Sequence, residues 1–496
     1  MATRPANAKI ILGLKAHQLR EARGLSFKEL SAASGLSISY LNEIEKGKKY
    51  PKPDRLAALA AALGTTAAEL SDPRLLRELA PVAELLNSNF LNDLPLDLFG
   101  IDLTKVVALI ANAPTKVSAF IQTLLELSRN YALGEENFYF GALRSYLELH
   151  SNYFPELEAA VDAFKAAHRL PTGGVVPNEH LGALLQELYG YTLVEDGLAD
   201  QPALQRLRAV YLPKANKLLL NKTLTNRQRA FQYGKELGFN ALQLQDRAYT
   251  SSLLRVTSFE EVLSHFKAGY FSAALLIDRD AFGEDLRELF AQPRWEANRL
   301  LDLIKKYRVS PETLFQRMTN LLPEVFGLRQ LFFLRMLHRP GTGNFRVDKE
   351  LHLDQRHHPH ANGLNEHYCR RWLSTGLLNK LQAIHETGSY VGTIVGVQRS
   401  RYHGTDDEYL CITLARPGYP TPDRNVSVTL GLLINDHLRK LIRFHDDPQI
   451  QSVVVNTTCE RCPIEDCTER IAPPRVVQRR EKRKAIARAL EALDHG

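Results

Sequence analysis

The chain has 496 residues, of which 44% are hydrophobic and 24% charged, and its formal net charge is +7. This composition is typical of globular protein, and the length is sufficient for about three domains of ordinary size. No apolar run approaches the ~18 residues that a membrane span needs, and the N-terminus lacks a signal-peptide core. We therefore expect a cytoplasmic protein, and the small basic excess favours a polyanionic partner.

Residues 26–47 have the pattern of two short helices joined by a tight turn. Ser26 and Glu29 form a capping box, in which the hydroxyl and the carboxylate each satisfy a backbone amide at a helix start. Gly35 can adopt the left-handed conformation that ends this helix, and Ser37 caps the next one. Apolar side chains at helical spacing predict one core shared by five helices: Leu12, Ala16, Leu19, Leu30, Ala33, Leu41, Ile44, Leu56, Leu59 and Leu63.

Roughly the first 72 residues resemble the Cro/phage-repressor (Xre) family, including Glu45-Lys46-Gly47 after the second motif helix and Leu63-Gly64 near the end. The resemblance implies a DNA-binding domain whose second motif helix reads bases. Phe27 stands where many members have the Gln that makes a backbone-anchoring contact. A degenerate helical bundle used for dimerisation is the alternative. The DNA-contacting positions that the resemblance implies are Ser37, Ile38, Ser39 and Glu43, with phosphate contacts at Tyr40 or Asn42, Lys48 and Lys49.

Composition shifts and breaks in the pattern predict the order of domains along the chain. Pro171 to Gly174 interrupt a helical pattern and mark one boundary. A cluster of aromatic residues between 138 and 153 is expected to be core, and a ligand cage is the alternative. The expected domains are a helix-turn-helix domain (1–75), a helical connector or dimerisation region (76–174), a third domain (175–325), an α+β sensor domain (326–475) and a basic C-terminal helix (476–496).

The third domain mixes a helix over Glu179–Tyr189, strands over Leu204–Leu212 and Lys217–Asn221, and a long helix from Asn226. This order resembles the ImmA/IrrE-type metallopeptidase family, whose helix carries a His-Glu-x-x-His zinc motif at this place.

Here Lys235 and Phe239 replace the two histidines, and only Glu236 remains. An ammonium and a phenyl ring do not bind zinc. We expect a pseudo-enzyme without catalytic residues, in which Lys235 and Glu236 are a solvated pair on the helix surface. An ImmA/IrrE-type zinc metallopeptidase that regulates a repressor is the rival hypothesis.

Amphipathic helices are expected over Ser258–Phe282 and Tyr307–Gly327. Alternating β-branched segments then predict an antiparallel sheet covered by helices at Asn365–Ser374 and Asp436–Phe444. The five strands are expected at Leu331–Leu337, Tyr390–Val397, Tyr409–Leu414, Val426–Leu433 and Val453–Asn456, and a basic amphipathic helix over Pro474–Leu493 finishes the chain.

Three cysteines lie within nine residues, at Cys459, Cys462 and Cys467, in a loop that follows the last strand. This spacing is typical of a metal or cluster site in a reducing compartment. A tetrahedral centre needs a fourth ligand, and Cys369 offers it from elsewhere in the fold. Cys411 lies in the middle of a strand, where a buried thiol behaves as an apolar side chain. An iron–sulfur cluster, a structural zinc and a redox switch of free thiols all remain open on spacing alone.

From about residue 258 to 474 the chain resembles the short-chain acyl-CoA responsive regulators of the Xre superfamily. The matching segments are FKAGYFSAALL, SPETLFQRMTNLLP, NEHYCRRW, LCITLARP and the CxxC-x4-C run. In that group the C-terminal domain is implicated in binding acyl-CoA. In a mycobacterial regulator of propionate metabolism it is implicated in holding a four-iron four-sulfur cluster. The resemblance therefore implies a regulator with an acyl-CoA effector and, at the four cysteines, an iron–sulfur cofactor, with zinc as the alternative.

A CoA ligand needs cations for its phosphates and an apolar slot for its acyl group. Candidate residues are Arg370, Arg371, Arg399, Arg401 and Arg416 for the first, and Phe332, Phe333, Trp372 and Tyr390 for the second. Histidines are dense at positions 352, 357, 358, 360 and 367. Residues 357–360 are expected to form a solvated loop, and a second metal site is the alternative.

The expected fold is multidomain and predominantly α with α+β parts. It comprises an N-terminal five-helix Cro/repressor-like domain, a helical connector, a zincin-like pseudo-peptidase domain and a C-terminal antiparallel-sheet sensor domain. We expect a DNA-binding transcriptional regulator of carbon or fatty-acid metabolism that acts as a homodimer on double-stranded DNA and senses a short-chain acyl-CoA. A phage or toxin-system repressor with a structural zinc is a further alternative.

Overall fold

The computed structural model describes residues 5–72, 135–250, 256, 258–353, 356, 366–389, 392–418 and 423–494. The chain divides into two compact units, one of residues 1–142 with 256–260 and the other of residues 143–255 with 261–496. Most of the predicted connector, the histidines at 357, 358 and 360, and Tyr390 lie outside the described residues. Within the described ranges, no helix has the length and apolarity to cross a bilayer.

In the first unit, residues 5–72 form the five predicted helices. Ser26 accepts a hydrogen bond from the Glu29 amide and the Glu29 carboxylate accepts from the Ser26 amide, so the capping box is present. Gly35 has a φ of 67° and ends the second helix, and the Ser37 hydroxyl caps the third. The helices are α1 (Pro5–Ala22), α2 (Phe27–Ser34), α3 (Ile38–Glu45), α4 (Pro53–Ala62) and α5 (Ala67–Ser71).

The shared core of these helices follows the predicted spacing except at one position. Leu30, Leu41 and Ile44 are each at most 1% exposed. Ala33 was expected beside them but is exposed. The residue that faces the core one turn after Leu30 is instead Ser34, whose hydroxyl donates to the Leu30 carbonyl at 2.6 Å.

A buried ion pair ties α1 to α3. The Arg20 Nε donates to Glu45 Oε1 at 2.7 Å, and His17 Nδ1 lies 2.8 Å from Glu45 Oε2. Burial by itself raises the pKa of Glu45, but the bonds to His17 and Arg20 outweigh it and leave that pKa below its ordinary value. Glu45 is therefore a structural residue that fixes the angle of α3 against α1.

The helices and strands between residues 135 and 325 include a small sheet. The sheet has the order β1-β3-β2, with β1 parallel and β2 antiparallel to β3. The predicted strand over Leu204–Leu212 is only four residues long, because a 3-10 helix ends at Leu204 and turn and bend residues follow up to Arg208. The elements are α6 (Glu135–Leu149), α7 (Pro155–Ala167), α8 (Asn178–Tyr189), β1 (Thr192–Val194), β2 (Ala209–Leu212), β3 (Lys217–Leu220), α9 (Asn226–Ala241), α10 (Phe259–Leu276), α11 (Arg279–Phe290), α12 (Ala297–Lys306) and α13 (Pro311–Val325).

The remainder forms a six-stranded sheet of order β5-β4-β8-β7-β6-β9. The expectation of an antiparallel sheet is wrong at one edge, where β9 pairs parallel to β6. The charged edge strand β5 was not predicted, because three consecutive charged residues, Asp348, Lys349 and Glu350, interrupt its alternation, and Asp348 and Lys349 pair with residues of other elements. The strands are β4 (Leu331–Arg339), β5 (Asn344–His352), β6 (Ile394–Tyr402), β7 (Glu408–Pro417), β8 (Asn425–Leu433) and β9 (Ser452–Val455).

Three helices accompany this sheet: α14 (Leu373–Glu386), α15 (Asp436–Leu441) and α16 (Arg475–Asp494). The helix predicted over Asn365–Ser374 begins only at Leu373. Tyr368 instead forms an antiparallel bridge with Thr458, which holds this segment extended and delays the helix. The C-terminal basic helix is present where it was predicted.

A buried ion pair joins α7 to α13. Arg317, with no exposed surface, donates to both carboxylate oxygens of Glu158, at 2.5 and 2.9 Å. Tyr270 donates to the same carboxylate at 2.6 Å. Burial alone raises the pKa of Glu158, but the Arg317 guanidinium outweighs it and holds that pKa below 4.5.

We predict that Glu158→Ala destabilises the second unit by roughly 3–5 kcal/mol, because it leaves the Arg317 charge buried without a partner. Since the folded-state pKa of Glu158 is lowered, the contribution of the pair is complete above about pH 4.5 and is lost as the pH falls through the folded value. Urea unfolding followed at pH 7 and pH 3.5 measures both effects.

The matched control is Glu284→Ala, which breaks the exposed pair with Arg287 and is expected to cost less than about 1 kcal/mol. Equal losses in the two variants would show that the buried pair has no special role.

Candidate functional sites

Helix α3 presents the start of its sequence to solvent. Ile38 is 48% exposed and Ser39 is also exposed, whereas Leu41 and Ile44 point into the core. The Ser37 hydroxyl accepts from the Tyr40 amide at 3.3 Å, so the first turn is fixed by its cap. An exposed large apolar residue on a capped first turn is the arrangement expected where a helix enters the major groove.

Cations surround this turn. Lys49 forms an ion pair with Glu43 at 2.8 Å and also lies over the Tyr40 ring, 5.8 Å from its centroid. Arg55 covers the same ring at 5.2 Å, and Lys48 is exposed. Asn42 is half-buried. Glu43 is therefore held by Lys49, and the Tyr40 ring lies between two cations.

Phe27, which replaces the anchoring Gln of the resembled family, has a structural role. The Arg20 guanidinium lies over its ring, 4.4 Å from the centroid. Phe27 therefore shields the Arg20–Glu45 pair between α1 and α3.

The second site is the cysteine loop, which we define as residues 459–470. It is joined to the segment around Cys369 by backbone hydrogen bonds. The Cys459 amide donates to the His367 carbonyl at 2.9 Å, and the Cys369 amide donates to the Thr457 carbonyl at 3.1 Å. Two stretches 90 residues apart in the chain are thereby brought side by side, as the prediction of a fourth cysteine ligand requires.

Cys369, Cys459 and Cys462 are each 6% exposed, and Cys467 is half-buried. Burial raises the pKa of the Cys369 thiol, and the nearby sulfurs of Cys459 and Cys462 raise it further. In the described ranges, no three or more His, Cys, Asp or Glu side chains are arranged as a metal-ligand set. Three buried cysteines and one half-buried cysteine supply thiol groups in two neighbouring segments, and thiolates are the ligands of zinc and iron–sulfur centres.

The cysteine loop is held by Arg470. Its guanidinium donates to the carbonyls of Cys459 (2.9 Å), Cys462 (3.0 Å) and Ile464 (2.5 Å). One side chain therefore fixes the backbone that carries two of the thiols. Sequence reasoning missed this role, because a lone Arg after a cysteine run has no distinctive spacing.

Glu460 anchors the same loop from the other side. Its buried carboxylate accepts from the His367 amide at 2.9 Å and lies 2.7 Å from His367 Nδ1. Arg475, the first residue of α16, contacts it at 3.4 Å, and the Val476 amide donates to its carbonyl at 3.0 Å. The start of the basic helix α16 is thus fastened to the cysteine loop.

Cys411 lies apart from this constellation in β7, opposite Gln398 of β6. Burial raises the pKa of its thiol to about 12, so it is protonated at neutral pH. This matches the expectation of a small apolar side chain.

The residues proposed to hold an acyl-CoA are dispersed. Arg370 and Arg371 flank Cys369, and the Arg370 guanidinium lies over the Phe345 ring at 4.3 Å. Arg399 is paired with Glu408, and Arg416 lies five residues beyond Cys411 along β7, about 17 Å away at ordinary strand rise. Trp372 is 7% exposed and its indole donates to the Asn456 carbonyl, so it is part of the core together with Phe332 and Phe333.

The third site lies at the degenerate peptidase motif on α9. We call this site the lysine centre and define it as Lys235, Glu236, Arg247 and His265. The prediction of a solvated pair is wrong, since Lys235 and Glu236 are each 7% exposed. The reason is close helix packing. A Cβ at Gly234 would lie 2.6 Å from the Ser272 hydroxyl, and one at Gly238 would lie 3.1 Å from the Ala268 carbonyl, so α10 covers this face of α9.

Every charged group of the lysine centre has a defined contact. Lys235 Nζ lies 2.9 Å from His265 Nδ1. The Arg247 Nη2 donates to Glu236 Oε2 at 2.6 Å, and Tyr191 donates to the same oxygen at 3.1 Å. The Arg247 guanidinium also lies over the rings of Tyr211 and Phe239, at 3.8 and 4.3 Å. Sequence reasoning missed His265 and Arg247, because neither occurs in the motif helix.

The residues of the lysine centre line a cavity of about 10 Å³, and an open pocket of about 560 Å³ shares part of its lining. Tyr211, Phe239, Arg247 and Tyr249 line both. The larger volume is within the range of small-molecule sites.

Comparison with known proteins bears on the first unit and on the whole chain. The family described as helix-turn-helix domain matches residues 11–72. The chain is 24% identical to the HTH-type transcriptional regulator RamB of Mycobacterium tuberculosis, over 98% of this chain and 97% of that protein. It is 24% identical to the HTH-type transcriptional regulator PrpR of the same species, over 93% of this chain and 91% of that protein.

It is also 23% identical to the propionyl-CoA carboxylase regulator of Cereibacter sphaeroides, over 94% of this chain and 95% of that protein. A solved structure described as a Mycobacterium tuberculosis transcriptional regulator aligns at 20% identity and a TM-score of 0.48, over 67% of this chain and 94% of that chain. The prediction of a helix-turn-helix domain is confirmed, and the chain is similar to HTH-type transcriptional regulators over more than nine tenths of its length.

Proposed function

We propose that this chain is a transcriptional regulator that binds a specific operator through α3, as a homodimer on an inverted repeat, and responds to a short-chain acyl-CoA. The observation that carries the proposal is the exposed, capped first turn of α3 with Lys48 and Lys49 beside it. The similarity to HTH-type regulators over nearly the whole chain supports it. A dimer is proposed because one recognition helix contacts too few base pairs for specificity in a genome.

The proposed effector is supported by one relative that is described as a propionyl-CoA carboxylase regulator. Within the second unit, Arg370 and Arg371 supply cations beside the cysteine loop. The open pocket beside the lysine centre supplies a second place, with Arg247 as its cation and three aromatic rings. For an effector to act as a switch, it must bind one DNA-binding state more tightly than the other.

We further propose that Cys369, Cys459, Cys462 and Cys467 bind an iron–sulfur cluster in the cytoplasm. When bound, such a cluster supplies one-electron redox chemistry. In this chain, two backbone hydrogen bonds bring the Cys369 segment to the loop. Arg470 donates to the loop carbonyls and holds them in place. Zinc at the same thiols is the alternative, and metal analysis distinguishes the two.

We also propose that the lysine centre does not hydrolyse peptides. The Glu236 carboxylate, which is the general base in the resembled peptidases, is bound by Arg247 and Tyr191 here. Phe239 contributes no ligand and is 3% exposed. Release of peptides from a denatured substrate by the zinc-supplemented protein would contradict this proposal.

Base-reading and phosphate-contacting positions are expected to respond differently to substitution. We predict that Ser39→Ala and Glu43→Ala change the operator selected from a random DNA library, because these side chains face base edges. Lys48→Ala is predicted to weaken binding to all sequences and to reduce the salt slope by roughly one unit, as one lost phosphate contact requires.

The control is Lys305→Ala on α12, whose side chain is 70% exposed and far along the chain from α3. Equal affinity of the unchanged protein for random and selected DNA at physiological salt would refute specific binding.

For the cysteine loop, we predict that Cys459→Ser lowers metal content and the stability of the second unit, because ligand-bond energy there is also folding energy. Cys411→Ser is the matched control, since it replaces an equally buried thiol outside the constellation. Anaerobic purification, the visible absorption spectrum, and iron, sulfide and zinc analysis are the measurements.

Full metal content in a Cys369→Ser variant would remove the fourth ligand from the assignment. Colourless protein that contains one zinc would replace the cluster by a structural metal, and protein without either metal would leave free thiols as the redox-sensitive form.

For the effector, we predict that at least one of acetyl-, propionyl- and butyryl-CoA binds, and that its affinity differs with and without operator DNA. Calorimetric titration of full-length protein in both conditions is the measurement. Arg371→Ala tests the place beside the cysteine loop. Tyr249→Ala tests the open pocket, because Tyr249 lines that pocket and is 63% exposed. Absence of binding would refute the effector, and equal affinities in the two titrations would refute the switch alone.

A further inference from the structure

Helix α16 has a fixed start and an exposed body. Its first residue, Arg475, contacts the Glu460 carboxylate at 3.4 Å, and the Val476 amide donates to the Glu460 carbonyl at 3.0 Å. From Gln478 to Leu493 every residue is exposed, so the described part of the chain leaves this length of the helix uncovered. Most helices in proteins are stabilised by an apolar face that packs against other elements. The exposed length of α16 has no such packing, and its side chains are accessible to a partner.

The exposed length of α16 is strongly basic. Residues 478–493 contain six cationic and two acidic side chains. Arg480 and Lys484 both pair with Glu481, at 3.7 and 3.1 Å. The cations of α16 that form no ion pair within the described ranges are Arg479, Lys482, Arg483 and Arg488. This surface therefore carries a net positive charge that the chain itself does not neutralise.

The order of charges along α16 disfavours the helix when nothing is bound to it. The first turn has no acidic residue and the last turn has no basic residue, whereas the helix dipole favours both. Arg479 and Arg483 are four residues apart, as are Arg480 and Lys484, so like charges are neighbours on the helix surface. A bound polyanion would neutralise these cations and relieve both effects. The charge pattern therefore indicates an anionic partner.

The apolar residues of α16 distinguish nucleic acid from a lipid surface. Ile486, Leu490 and Leu493 are all exposed and lie on one side of the helix, at four- and three-residue spacing. Arg479 and Arg483 occupy the same side in the preceding turns. A helix that lies on a membrane keeps its apolar face separate from its charged face, which α16 does not. A basic segment followed by an apolar seam in one continuous helix is instead the order found in basic-zipper proteins, where the basic segment lies along duplex DNA.

We propose that residues 479–484 of α16 are a second DNA contact, which binds the phosphates of duplex DNA without reading its sequence. Duplex DNA carries one negative charge per about 1.7 Å of its axis, so cations spaced along a helix can each meet a phosphate. The helix-turn-helix match over residues 11–72 makes duplex DNA the polyanion that this chain encounters. The contact adds to that of α3 and does not depend on α3 reading a specific operator.

The experiment measures binding of the full-length protein to a random-sequence duplex, to which base reading contributes little. Fluorescence anisotropy at salt concentrations between about 50 and 200 mM gives the slope of log affinity against log salt concentration. In the triple variant Arg479→Gln, Lys482→Gln, Arg483→Gln we expect this slope to fall by about two to three units, since each lost phosphate contact removes about 0.9. Affinity at about 100 mM salt should fall at least roughly tenfold.

The matched control removes three cations from α11 and α12, in the variant Arg287→Gln, Arg299→Gln, Lys305→Gln. Each of these side chains is exposed and pairs with a carboxylate three residues earlier, and the change in net charge is the same. We expect the control to keep the salt slope of the unchanged protein. An unchanged slope in the α16 variant would refute the proposal. Equal losses in the two triple variants would refute it as well, because they would show an effect of net charge alone.

Two further measurements test the other occupants of this surface. Cosedimentation with phosphatidylserine–phosphatidylcholine vesicles that is lost in the α16 triple variant, while its DNA affinity is kept, would assign the surface to lipid. Sedimentation equilibrium of an Ile486→Ser, Leu490→Ser variant tests a second copy of the chain. Loss of self-association there, with an unchanged salt slope in the triple variant, would assign α16 to that copy. Either result would overturn the DNA contact.

The outcome is separable from operator reading by α3. If the unchanged protein binds random and selected DNA equally, specific reading fails, but a smaller salt slope in the α16 variant still supports the second contact. If the slope is unchanged and selected DNA is still preferred, the second contact fails and operator reading stands. Circular dichroism and urea unfolding of the triple variant should match the unchanged protein, because the three side chains are exposed.

Discussion

The cost of removing charge from water organises the second unit. Glu312 of α13 is 8% exposed, and it persists as a carboxylate because Arg335 of β4 and Lys349 of β5 both bond to it. Burial acting alone raises the pKa of Glu312, but these cations outweigh it and hold that pKa well below its ordinary range. The pairing joins the helical part to the six-stranded sheet. A second buried pair, Glu158 with Arg317, joins α7 to α13 in the same way.

The cost of burying charge also explains the residues found at the degenerate peptidase motif. A helix that loses both zinc-binding histidines still has a buried face to fill, and the chain fills it with Lys235, Phe239 and the contacts of Arg247 and His265. The side chains that the motif retains are used for packing and pairing, so Glu236 serves as the counter-ion of Arg247. The cysteine loop differs, since Cys459 and Cys462 are buried, Arg470 donates to the loop carbonyls, and Glu460 accepts from the His367 amide. The lysine centre is therefore filled by side chains, whereas the backbone of the cysteine loop is held in place by Arg470.

Sequence reasoning predicted the elements whose signals are local. The capping box of Ser26, the left-handed Gly35 and the Ser37 cap are each set by neighbouring residues, and all are present in the structure. It failed where the deciding contact is distant. The burial of Lys235 depends on α10 approaching Gly234 and Gly238, and the late start of α14 depends on Tyr368 pairing with a residue 90 positions later. The edge strand β5 was missed because its charges are paired across strands, as Arg335 with Asp348, which no local pattern shows. Cys369 was predicted to join the loop because a tetrahedral centre needs four ligands. This is a chemical requirement and not a local sequence pattern.

The attachment of α16 to the cysteine loop gives a physical route from the loop to the surface. Glu460 lies between two of the cysteines and bonds to Arg475 and to the Val476 amide, so the first turn of α16 depends on the conformation of the loop. The rest of this helix is exposed and carries most of its charge as Arg and Lys. A change in the bonding of the thiols that displaced Glu460 would release a basic helix without unfolding the sheet, because β9 ends at Val455, before the loop begins. The coupling is local, and it requires only that the loop have two conformations of similar free energy.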